Sequence, residues 1–176
     1  FGFSTCTQTN LITNGSFESA LSTGWTTSGN VVTTTLQGSV LGTTAVAFGG
    51  SGGGGANNGV LMQTVSTVAG SNYTLGADYW AFALTNGLSQ SMRVQVISGG
   101  LSVLDQTISH TAATASAVNP QDFEWQFTAL GANTTVLFSD TSTVTNSVDG
   151  MLDNVRLFLD SSDSDRISGG SGNDVI

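Results

Sequence analysis

Few side chains in this sequence can do covalent or acid–base chemistry. It has one histidine, His110, one cysteine, Cys6, and no lysine, so no nucleophile–base–orienter set can be assembled. Carboxylates remain: twelve in all, of which only Glu18 and Glu124 are glutamates. Asp153 lies between Leu152 and Val155 in an apolar run, where a carboxylate is costly unless it is paired or bound to a metal. Glu124 sits beside Trp125, which reads as a core residue. A second group has binding chemistry. Strict alternation along Asn72–Ala83 puts Asp78, Trp80 and Phe82 on one face, opposite Tyr73, Leu75, Ala77 and Tyr79. Along Ser91–Ile97 the apolar Met92, Val94 and Val96 turn inward, leaving Arg93 and Gln95 outward. If the two strands share a sheet, all five outward residues form one surface, with Asp78 available to neutralise Arg93. Flat aromatic rings beside hydrogen-bonding groups suit a ligand with an apolar face and a hydroxylated edge. His110 ends a strand before a Thr-Ala-Ala loop and is a further candidate, although a solvated turn histidine is the simpler reading.

The elements that must position these residues are strands. Helical periodicity is absent, and short runs rich in Val, Thr, Leu, Phe and Tyr alternate with Gly, Asn and Ser. The pattern predicts strands at Val31–Gln37, Thr44–Phe48, Val60–Val68, Asn72–Ala83, Ser91–Ile97, Leu101–His110, Asp122–Leu130, Thr134–Ser139 and Met151–Leu159. About nine short strands between turn signals imply an all-β fold, a two-sheet antiparallel β-sandwich or jelly roll with an irregular C-terminal tail. The glycine-rich stretch Gly49–Gly59 reads as a flexible connection, since a phosphate-cradling loop would need a following helix and a lysine.

Composition narrows the partners. The net charge is −9 with only Arg93, Arg156 and Arg166 as cations, which argues against nucleic acid and anionic membrane surfaces. No apolar run is long enough to span a bilayer. Six acids (Asp149, Asp153, Asp160, Asp163, Asp165 and Asp174) fall in the last 28 residues. There Gly169-Gly170-Ser171-Gly172-Asn173-Asp174-Val175-Ile176 fits the nonapeptide G-G-x-G-x-D-x-U-x, and Asp165 and Ile167 precede Asp174 and Ile176 by nine residues. Glycines allow the turn, Asp174 and backbone carbonyls supply hard oxygen ligands, and the apolar residue fills a parallel β-roll. The tail resembles the start of an RTX array, which implies calcium binding and bacterial type I secretion. The expected division is 1–9 extension, 10–159 sandwich module and 160–176 truncated repeat, the whole cut from a longer chain.

Asn10-Leu11-Ile12-Thr13-Asn14-Gly15-Ser16-Phe17-Glu18 followed by Gly24-Trp25 resembles the opening of carbohydrate-binding modules of the galactose-binding-like jelly-roll type. The resemblance continues through Ala45-Val46-Ala47-Phe48, Gln63–Val68 with Ala69-Gly70, Tyr73-Thr74-Leu75 and Trp125-Gln126-Phe127-Thr128. It closes on Leu152-Asp153-Asn154-Val155, so that it covers about residues 10–159. It implies a structural calcium held by Glu18 and Asp153 with backbone oxygens near Ser16 and Thr44, and core positions for Trp25 and Trp125. Trp80 is then the expected stacking residue, with Asp78, Phe82, Arg93, Gln95 and His110 around it; loop-tip sites near Gly49–Asn58 and His110–Pro120 stay open as alternatives. The implied function is non-catalytic binding of a polysaccharide or cell-surface glycan, monomeric within a secreted multidomain protein and possible as an appendage of a polysaccharide-degrading enzyme. The rival expectation is a structural or adhesive spacer of an RTX adhesin, binding ice or a cell surface.

Overall fold

A computed structural model describes residues 8–49, 55–144 and 146–160. Cys6, the tail beyond Asp160 (Asp174 included) and residues 50–54 of the glycine-rich connection lie outside them. The described chain holds ten strands and no helix: β1 Thr26–Ser28, β2 Val31–Thr34, β3 Ala45–Phe48, β4 Val60–Ser66, β5 Asn72–Ala83, β6 Ser89–Ser98, β7 Leu101–Thr111, β8 Gln121–Thr128, β9 Asn133–Asp140 and β10 Val148–Leu159. Two five-stranded sheets run in the orders β1-β4-β9-β6-β7 and β2-β3-β10-β5-β8, and every pairing is antiparallel. This is the expected all-β two-sheet sandwich. It adds β1, three exposed residues too short to register in the sequence pattern, and ends the second strand at Thr34.

Between the sheets, alternate residues interlock. Leu61, Val94, Val96, Val136 and Phe138 from one sheet meet Val46, Leu75, Tyr79, Leu152 and Leu157 from the other. Trp25 joins them, tilted against Phe17 and Phe138, its indole N–H donating to the Asn14 carbonyl at 3.0 Å. The opening segment is bound to the closing strand: Leu11 N donates to Leu157 O and Val155 N to Gly15 O, each at 2.9 Å. The Asn10 side chain adds bonds to Leu157 N and Val155 O.

The outer surfaces of the two sheets differ. In the first sheet, register rows run straight across all five strands, as in Thr26–Met62–Leu137–Gln95–Asp105. This face is exposed or half-exposed throughout, giving the in–out alternation of a half-wet antiparallel sheet. In the second sheet the outer face is covered over β3, the second half of β5 and the first half of β10, while the outer side chains of β8 stay exposed. The segment 35–44 crosses the covered part, tied by the Gln37 amide to Asp149 and by Val40 N and Leu41 N to Asp153. The segment 112–120 closes the adjoining edge through Ser116 N to Ala83 O at 2.7 Å, and a side chain at Gly38 would strike Val118. Much of β5 and the first half of β10 are consequently buried on both faces.

Candidate functional site

The strands that carry the candidate ligand residues belong to different sheets, so those residues do not share a surface. Trp80, Asp78 and Phe82 stand on the outer face of the second sheet, whereas Arg93 and Gln95 stand on the outer face of the first. The expected aromatic platform is also absent. Trp80 is 0% exposed, packed on Ala45, Ala47 and Met151 with Val32 and Phe82 alongside. Strict alternation fails here because covering segments lie over a face that the pattern assigned to water. Ala77-Asp78-Tyr79-Trp80-Ala81-Phe82-Ala83 holds a single charged residue, and a near-continuous apolar run marks a strand buried on both sides. The Trp80 indole N–H and the Gln37 Oε1 are buried beneath this cover without hydrogen-bond partners among the described residues.

Asp78 is also buried and accepts from the Asn154 amide at 2.8 Å rather than pairing with Arg93. His110 is half-buried: its Nδ1 accepts from Ala81 N at 3.1 Å, and burial pushes its pKa below the ordinary value against an opposing bond to the Asn119 backbone. It therefore ties β7 to β5 and to the covering segment 112–120, a structural role.

Arg93 and Gln95 do come together. Arg93 grips Asp105 with Nε at 2.7 Å and Nη2 at 2.5 Å, and Gln95 Nε2 reaches the same carboxylate at 3.2 Å. The hydrogen bonds from Arg93 hold the Asp105 carboxyl below its ordinary pKa. The pair is diagonal across β6 and β7, within reach of long side chains. Beside it the half-exposed Ile97 and Leu137 and the exposed Met62 form an apolar stripe, bordered by Thr64 and Thr135, whose hydroxyls bond at 2.8 Å. The sheet thus offers a broad open face with an aliphatic floor, remaining guanidinium N–H groups and the Gln95 amide. Asp105 was missed as a candidate because cross-strand pairing is a property of register, which a single strand's pattern does not contain.

Two of the three tryptophans, Trp80 and Trp125, sort differently from expectation. Trp25 is core, as the resemblance implies, but Trp125 is only half-buried. It stacks parallel to Phe123 at a 5.9 Å centroid distance and a 4° interplanar angle, on strand β8 at the border of the second sheet. The opposite side of β8 carries Asp122 and Glu124, which hold Arg156 at 2.5 and 3.0 Å. Arg156 lies across Gly76, where an added Cβ would come within 2.6 Å of the guanidinium.

Glu18 and Asp153 close on the same loop. Glu18 Oε1 accepts from Thr43 N at 2.9 Å and Thr44 N at 2.7 Å, and Oε2 from Thr43 Oγ1 at 3.0 Å. These backbone bonds hold its pKa below the ordinary value. Asp153 is fully buried; its Oδ2 accepts from Val40 N at 2.6 Å and Leu41 N at 2.9 Å, its Oδ1 from Asn154 N at 2.6 Å. Burial nevertheless raises its pKa, with Asp78 directly across the ladder adding to the effect. Among the described residues no group of three or more His, Cys, Asp and Glu side chains is placed to hold a metal. Each carboxylate accepts three bonds, two at one oxygen and one at the other, so Glu18 Oε2 and Asp153 Oδ1 each keep a lone pair that a hard cation such as calcium could use. Ser16 lies in the turn before Glu18, and Thr44 meets Glu18 through its N–H.

No protein-family model matches the chain, and no curated protein sequence matches it. Its architecture is that of the two-sheet jelly-roll modules, and the solved structures similar to it include several carbohydrate-binding modules. TmCBM61, solved in complex with β-1,4-galactotriose, superposes with a TM-score of 0.61 at 17% identity, over 86% of this chain and 99% of the other. The CBM22-1 xylan-binding domain of Paenibacillus barcinonensis Xyn10C gives 0.55 at 14% identity over 86% and 95%. A family 16 carbohydrate-binding module gives 0.54 at 21% over 84% and 99%. At these identities the likeness is one of fold.

Proposed function

We propose that the chain is a non-catalytic carbohydrate-binding module whose ligand lies on the open face of the β1-β4-β9-β6-β7 sheet. The observation that carries this reading is the contrast between the two outer faces: the centre of one is closed by its own segments, while the other stays open across all five strands around Arg93, Gln95 and Asp105. An extended polymer needs such a face. The jelly-roll likeness to modules solved with galactotriose and xylohexaose supports the ligand class. With Arg93 neutralised by Asp105, the face suits a neutral glycan better than a uronate or sulfate, and an aliphatic floor in place of aromatic rings implies weak binding. Secretion and a calcium-binding tail rest on the sequence of residues 160–176 and are part of the proposal.

The test is a panel of soluble galactan, xylan and β-glucan in affinity electrophoresis, with Arg93→Ala and Gln95→Ala beside the wild type. Retardation by one neutral polymer, reduced in both variants, supports the reading. Absence of retardation by every polymer would transfer the chain to the adhesive-spacer class.

A further inference from the structure

The covering segments of the second sheet leave the outer face of β8 open, where Asp122, Glu124, Gln126 and Thr128 are exposed. At the start of β5 and the end of β8, Asn72, Gln126, Phe127, Thr128 and Asp160 line a pocket of about 250 Å³. The register brings these residues together: Asn72 faces Thr128 and Thr74 faces Gln126 across β5 and β8, while Thr74 faces Phe158 on β10. The walls are fixed by their own bonds. Thr128 Oγ1 donates to Asn72 Oδ1 at 2.7 Å, Thr74 Oγ1 donates to Asp160 Oδ1 at 2.7 Å, and Asp160 N donates to Asn72 O at 2.9 Å.

What those bonds leave over is informative. Asn72 Oδ1 accepts from Thr128, and its amide Nδ2 makes no hydrogen bond among the described residues and is left as a donor. Among the described residues only Oδ1 of Asp160 accepts a bond, which leaves Oδ2 as an acceptor. Gln126, exposed on β8, makes no side-chain hydrogen bond among the described residues and offers both a donor and an acceptor. An adjacent donor amide and acceptor carboxylate match two neighbouring hydroxyls of a sugar, each of which both donates and accepts. The volume lies below the range of sites that enclose drug-sized ligands and suits a single ring better than a chain. Charge selects further: Asp160 repels anionic sugars, and the nearby cation Arg156 is already held by Asp122 and Glu124.

We propose that this pocket is a second carbohydrate site, on the opposite sheet from the polymer face, which takes one neutral pyranose such as a chain end or side branch. It rests on the glycan-binding reading for its ligand class but uses none of the same residues. The experiment is an amide-resolved NMR titration of the whole chain with free galactose, glucose and xylose. At least one sugar is expected to shift Asn72, Gln126 and Thr128 saturably. Gln126→Ala and Asp160→Asn, each with wild-type melting, are expected to weaken that binding about threefold to tenfold, the net value of one or two hydrogen bonds. Arg93→Ala should leave it unchanged. No shift at those three residues up to the solubility of every sugar overturns the pocket and leaves the polymer face standing. Pocket shifts without polymer retardation would keep this site and remove the other; shifts that survive both pocket variants in full would also refute it.

Discussion

Replacing Trp80 by alanine separates a buried structural tryptophan from a ligand platform. The side chain is fully buried against Ala45, Ala47 and Met151, and the alanines on β3 are fixed by pairing on both sides. Short side chains on a paired strand cannot move in to fill the space, so the void should persist. Truncating a buried aromatic costs about 3–5 kcal/mol when the site fails to collapse, a large part of the ~5–15 kcal/mol that stabilises a typical domain. For a chain of this size each kcal/mol moves the melting temperature by about 2–4 °C, so Trp80→Ala should melt roughly 6–20 °C lower. Trp80→Phe should cost less than half as much, because it also removes an indole N–H that has no partner among the described residues. Urea denaturation followed by near-UV circular dichroism measures both, and glycan retardation below the melting point should be unaltered. A Trp80→Ala protein that melts with the wild type and loses its glycan would refute the burial argument and return Trp80 to the ligand site.

Removing the surface pair by Arg93→Ala should change stability by less than about 1 kcal/mol, since both partners are more than 40% exposed; a larger loss in a denaturation curve would show that the pair is structural. Glu18 has a lowered pKa, so its stabilisation is present above its ordinary value of 4.5 and is lost as pH falls through the lower folded value. Glu18→Gln should therefore flatten the acid side of a melting-temperature profile, and an unchanged profile would remove the loop tether. Asp153 has the opposite sign: its folded pKa is raised above 3.8, so its contribution is greatest below that value and declines as pH rises through the folded one. Asp153→Asn should remove that decline, which the same melts would detect. Calcium is expected to leave the melting temperature unaltered, because loop N–H groups already tie Glu18 and Asp153 to segment 35–44 without an ion. A calcium-dependent rise abolished by Glu18→Ala would show that the ion binds at this carboxylate and adds to the tether.

Two-residue alternation and turn spacing were enough to read a sandwich and most of its strands from the sequence, because one face of the first sheet is wet and its side chains record that. The same rule misplaced Trp80, since the segments that bury it come from residues 35–44 and 112–120, distant in sequence and irregular in pattern. Arg93 and Gln95 were legible as outward residues; their partner Asp105 was not, because only the β6–β7 register sets them side by side. Trp125 was read as core from its family position, yet β8 is an outermost strand and leaves it half open. Asn72, Gln126 and Asp160 carry no sequence signal as a group, for they meet only after three strands have paired.

Sheet order has a last consequence, for behaviour in a crowded solution. A sandwich that does not close into a barrel has four margins where unpaired backbone invites another chain to add a strand. Two of these margins, β1 and β2, are only three and four residues long. The two long ones, β7 and β8, bear Asp105 and the Asp122–Glu124 couple. Asp105 is matched by Arg93, but the two acids on β8 share the single cation Arg156, so strand addition at that margin would crowd excess negative charge on a molecule of net charge −9. Copies held close together are thus discouraged from zipping into a common sheet at β8.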